Sequence, residues 1–164
     1  MNSKKVTRVA MLASILYIIQ FIGSGLLYIE LVNFTILLYG VTLKRDESYL
    51  AVTIFCLLVM LTRGFGLWTI MYLVVFPQYA LIYAALGKKI KSLYLLALLG
   101  FVLAFICGTL IDIPYIIAAN LDYKGLIIRL LLGFQVSIVN ALVTFIATLF
   151  LLDPLNKLLL KLNT

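Results

Sequence analysis

The chain has 164 residues, 65% of them hydrophobic, with a formal charge of +7 and no histidine; its mean hydropathy is +1.21. This composition excludes most soluble enzymes, and the missing histidine removes the commonest general base and metal ligand. The basic residues sit in short segments between apolar runs, where they orient membrane spans, so the positive charge does not argue for nucleic acid.

A bilayer span takes roughly 20 apolar residues. The pattern predicts an all-α membrane protein of six helices, one transmembrane domain over residues 1–164. The first helix covers 4–22 and follows Lys4, Lys5 and Arg8. It lacks an Ala-x-Ala cleavage site, so it reads as an uncleaved span and not a signal peptide. Ala10, Ala13 and Ser14 give it a small-residue face, suited either to packing inside this chain or to docking a separate membrane subunit.

A glycine-bearing loop at 23–27 leads to a second helix at 28–43, which Glu30 and Asn33 open three residues apart, on one face. Asp46 and Glu47, beside Lys44 and Arg45, read as a solvated turn. The third helix, 49–61, is short and expected to be partly shielded from lipid. The loop 62–66 contains Arg63. The fourth helix, 67–86, has Trp68 and Tyr72 four apart at its start and Pro77 further on, where a kink is expected.

The fifth helix, 92–118, ends with Asp112 and Tyr115, and Ile113-Pro114 is expected to distort that end. Asn120 falls in the loop 119–125. The sixth helix, 126–161, carries Arg129, Gln135 and Asn140; it is longer than a membrane needs and is expected to break near Asp153-Pro154. Cys56 and Cys107 both lie in apolar helices and read as small core residues, not a disulfide.

Alternating loops place ten basic residues on one side (Lys4, Lys5, Arg8, Lys44, Arg45, Lys88, Lys89, Lys91, Lys157, Lys161) and three on the other (Arg63, Lys124, Arg129). The positive-inside rule puts the richer side, with both termini, in the cytoplasm. The polar residues of the apolar runs concentrate toward the opposite, outer side: Glu30, Asn33, Arg63, Trp68, Tyr72, Asp112, Tyr115, Asn120, Gln135 and Asn140.

Each has a structural and a functional reading. Trp68 and Tyr72 suit an interfacial aromatic belt or a surface on which a ligand ring stacks. Glu30, Arg63 and Arg129 suit headgroup-level charges or ligand contacts. Gln135, midway along its helix, needs a partner, because an unpaired amide costs a few kcal/mol in hydrocarbon. No phosphate-binding loop, zinc motif or nucleophile elbow is present, so no enzyme activity, cofactor or metal is expected. No inverted repeat suggests a self-sufficient transporter.

Three stretches are similar to a known family: Arg8-Val-Ala-Met-Leu-Ala-Ser-Ile, Ile29-Glu-Leu-Val-Asn-Phe, and the run from Gly66 through Trp68 and Tyr72 to Tyr79. With the length and the six spans, the chain resembles the substrate-binding S component of an energy-coupling factor (ECF) vitamin transporter. Ala10 and Ser14 stand in the two places of that family's Ala-x-x-x-Ala face, although Ala13 also fits.

The resemblance implies a multi-pass protein of a bacterial cytoplasmic membrane. It binds a vitamin or precursor from outside and works with a transmembrane coupling subunit and two cytoplasmic ATPases. The outer loops cover the ligand, and the first-helix face meets the coupling subunit. Pyridoxine or hydroxymethylpyrimidine is the expected ligand type, with pantothenate or niacin as alternatives. A membrane scaffold without a small ligand is the competing reading of the residues.

Overall fold

A computed structural model describes residues 3–25 and 29–161 of the chain. Its elements are all helical: α1 (Ser3–Gly23), α2 (Val32–Thr42), α3 (Arg45–Arg63), α4 (Leu67–Ile82) running into a π-helical turn (Tyr83–Gly87), α5 (Leu93–Ala118) and α6 (Tyr123–Lys161). Four are apolar and long enough to cross a membrane: α1, α4 with its π turn, α5 and α6. Their outer surfaces carry exposed Leu, Ile and Phe, such as Leu131, Phe134, Ile146 and Phe150 on α6. Faces of that kind belong in lipid, and the chain has the make-up of a helical membrane protein.

Two predicted lengths are reversed. The third helix, expected to be short, runs for 19 residues. The second has only 11, about 16 Å at 1.5 Å per residue, which is too short to cross about 30 Å of hydrocarbon. The predicted start of the second helix at Tyr28, and part of the predicted loop 23–27, lie outside the described residues.

The longer α3 has a clear cause. Asp46 and Glu47, read as a solvated turn, form its first turn, where negative side chains favour a helix N-terminus. They also pair across to α1, Lys5 with Asp46 and Arg8 with Glu47. Glu47 is buried, so its pairing with Arg8 fixes α1 against α3.

The short α2 is the centre of the molecule. Every residue from Val32 to Gly40 is buried, with α1, α3, α4, α5 and α6 packed around it. The Tyr39 hydroxyl donates to the Leu12 carbonyl of α1 at 3.1 Å. At its far end, the Lys88 ammonium donates to the Leu43 carbonyl at 2.6 Å, a cation placed where the helix dipole is negative. Gly40 lets α2 meet the π turn closely: a Cβ there would lie 2.4 Å from the Tyr83 Cβ.

The break expected near Pro154 is absent. α6 passes through Pro154 without interruption for 39 residues, about 58 Å. α5 continues past Pro114 to Ala118. Each proline removes one intrahelical bond, and a long helix held along its length by neighbours tolerates that loss. α6 begins three residues earlier than predicted, because the Asp122 carboxylate accepts from the Gly125 amide at 3.0 Å as a helix cap does.

Candidate functional site

The cavity lies in the half of the bundle where α1 leads into α2, α3 into α4, and α5 into α6. It has a volume of about 280 Å³, just below the usual range of small-molecule sites, roughly 300–1,000 Å³. Four elements line it. The entry to α2 contributes Glu30 and Asn33, and α4 contributes Tyr72 and Phe76. From α5 come Ala104, Cys107, Gly108, Ile111 and Asp112; from α6 come Gly133, Val136, Ser137 and Asn140.

Helical spacing explains each set. Tyr72 and Phe76 are four apart on α4 and so share one face. Tyr72 packs edge-on between Trp68, with centroids 5.2 Å apart, and Phe76, 4.6 Å apart, so the aromatic wall is braced along its own helix. Small residues four apart on α5, Gly100, Ala104 and Gly108, let it approach α6: Gly100 meets Thr144 and Thr148, Gly108 meets Ser137, and Gly133 of α6 meets Asp112. The approach is tight, since a Cβ on Gly108 would lie 2.2 Å from the Ser137 Oγ.

The polar groups are placed by named contacts. The Asn140 Oδ1 accepts from the Glu30 backbone amide at 3.2 Å, tying the entry of α2 to α6. Arg129 donates to the Asp112 Oδ1 at 2.8 Å and lies over the Tyr115 ring at 5.0 Å. The other Asp112 oxygen abuts α6 at Gly133, 3.3 Å from where a Cβ would stand.

Glu30 precedes α2 in the connecting loop, and burial pushes its carboxyl above the ordinary carboxylate range. No cation among the described residues pairs with it. Asn33 is 4% exposed, and its Oδ1 has no hydrogen-bond partner among the described residues.

The ten residues expected to form the site therefore divide. Glu30, Asn33, Tyr72, Asp112 and Asn140 line the cavity. Trp68 stands one layer outside, against Tyr72. Tyr115 holds the Arg129 guanidinium outside the lining. Arg63 turns elsewhere, donating to the Ser24 Oγ at 3.0 Å and lying near the Phe21 ring.

Asn120 is a turn residue, exposed and left-handed at φ 41°, a conformation asparagine tolerates better than most. Gln135 is exposed on the outer surface of α6; at 100° per residue it points away from the face that carries Gly133, Ser137 and Asn140.

Composition overlooked the small lining residues. Cys107, read as core, is buried and free but also borders the cavity. The signal was present in the four-residue recurrence Gly100, Ala104, Gly108, Asp112, small residues ending in a carboxylate. Among the described residues, no group of three or more His, Cys, Asp or Glu is gathered where it could hold a metal ion.

No family model matches the chain, and no curated protein or solved structure matches it.

Proposed function

We propose that this chain is the substrate-binding subunit of a membrane importer of the energy-coupling factor type, and that the cavity between α2, α4, α5 and α6 holds its ligand. The observation that carries the reading is the cavity itself. Five of the expected polar and aromatic residues, from four separate elements, line one cavity inside an otherwise oily bundle. Polar groups placed inside a membrane domain are costly and mark a pathway or a ligand. In this reading six helices make up the membrane domain with the short α2 held at its centre, both termini are cytoplasmic, and the cavity opens toward the outer side.

The exposed Ala10 and Ser14 on α1 serve as the face for a coupling subunit, with Ala13 pointing into the protein. Two separate ATPases supply the energy. The ligand is a small vitamin-like heterocycle, of the pyridoxine or hydroxymethylpyrimidine size.

The test is a titration of the purified chain in nanodiscs with water-soluble vitamins and their precursors, followed by Trp68 emission and by calorimetry. The chain has one tryptophan, and it packs on cavity-lining Tyr72, so the signal belongs to the site. Saturable binding of one compound without ATP is expected. Silence of the whole panel by both methods would overturn the proposal.

A further inference from the structure

The cavity is rich in acceptors and poor in cations. Glu30 brings a carboxylate to it that no cation among the described residues reaches. Asn33 brings a buried amide whose oxygen has no partner among the described residues. Asp112 is the second carboxylate, and Arg129 already satisfies it.

Ionising a partly buried carboxyl without a counter-charge and leaving a buried acceptor without a donor are each unfavourable. One event relieves both: the arrival of a group that carries positive charge and several N–H donors. An anion would face the opposite situation, because Arg129 is engaged by Asp112 and Tyr115, and Arg63 by Ser24. The edge-to-face rings of Tyr72 and Phe76 give an aromatic wall beside these acceptors, and about 280 Å³ accommodates a single substituted ring.

Building on the proposal that this cavity is a ligand site, we infer that it takes a single-ring ligand bearing a protonated amine. Glu30 is the counter-ion, Asn33 is the neutral acceptor, and ligands with a carboxylate or phosphate are rejected. Charge-assisted contacts of this kind are stronger than neutral ones.

The experiment uses the full chain in nanodiscs and three pyridines with an aminomethyl, a hydroxymethyl or a carboxylate group at the same ring position. The aminomethyl compound is expected to bind tightest, by about tenfold or more over the hydroxymethyl compound, with the carboxylate weakest. Glu30→Gln is expected to lower aminomethyl affinity by about tenfold and to shrink the amine-over-alcohol preference to less than about threefold. A cooperative melting curve of Glu30→Gln shows that the variant is folded.

A carboxylate that binds best, or an amine no better than the alcohol, would overturn this inference while leaving the cavity a ligand site. An amine preference that persists in Glu30→Gln would overturn the role of Glu30. Failure of all three compounds and of the vitamin panel would overturn the ligand-site proposal as well.

Discussion

Gly40→Ala is the most direct test of the packing that positions the site. The added Cβ would sit 2.4 Å from the Tyr83 Cβ and 3.2 Å from both the Ala80 carbonyl oxygen and the Ala84 amide nitrogen. Carbon contacts settle at about 3.5–4.0 Å, so α2 and the π turn must separate by about 1 Å or more. No side-chain rotation relieves the clash, because the opposing atoms are a Cβ and two backbone atoms. The neighbouring Tyr39 and Tyr83 are buried in the core, so a separation there loosens packing on several helices.

Overpacking costs about 1–3 kcal/mol, and the backbone contacts place this case near the upper end, about 3 kcal/mol. For a chain of this size that lowers the melting temperature by about 6–12 °C. The assay is thermal unfolding in nanodiscs, with Gly25→Ala as control, where among the described residues the new Cβ meets only the Ile22 carbonyl oxygen at 3.4 Å. Ligand affinity should fall with stability, since α2 carries Asn33 and follows directly from Glu30. If Gly40→Ala and Gly25→Ala melt within about 2 °C of each other, the close crossing of α2 and the turn is wrong.

Arg8→Met strands the buried Glu47 carboxylate and should destabilise by about 2 kcal/mol, less than for a fully buried pair, because the Arg8 side chain is 31% exposed. Adding Glu47→Met should recover most of the loss; a double variant as unstable as the single would refute this account. Glu30 holds its proton more tightly folded than unfolded, so the unliganded protein should lose stability as pH rises through the interval between those two values. Glu30→Gln should flatten that dependence in a pH series of melting curves, and an unchanged slope would assign it to another group. Ala13→Leu, at a fully buried position, should cost about 1–3 kcal/mol. Ala10→Leu, on the exposed face, should leave stability and ligand binding intact while blocking uptake in vesicles that contain the coupling subunit and ATPases; normal uptake would remove α1 as the docking face.

Much of the fold was legible because apolar composition and charge clustering are local properties. The start of α5 near Ser92 and the apolar character of α1, α4 and α6 follow from runs of hydrophobic side chains. The acidic residues at the start of α3 were misread because their value as helix-starting charges and as partners for Lys5 and Arg8 depends on where α1 lies. The polar cluster was legible as a tendency and not as a site. Glu30, Asn33, Tyr72, Asp112 and Asn140 share their chemistry with Arg63, Asn120 and Gln135, and only the rotation of each helix separates those that meet from those that do not.

The sequence by itself determined that this is a helical protein with the make-up for a membrane, because 65% apolar composition leaves most of the chain no stable home in water. It also determined which residues carry polar chemistry within that oil. Only the tertiary structure decided that α2 is a short central helix, that α6 is unbroken through Pro154, and which five of the ten expected residues face one cavity. The reason is physical: hydrophobicity says that a residue leaves water, but the direction it faces is set by which neighbours pack around its helix. Here the small residues of α5 and α6 and the glycine of α2 set that packing.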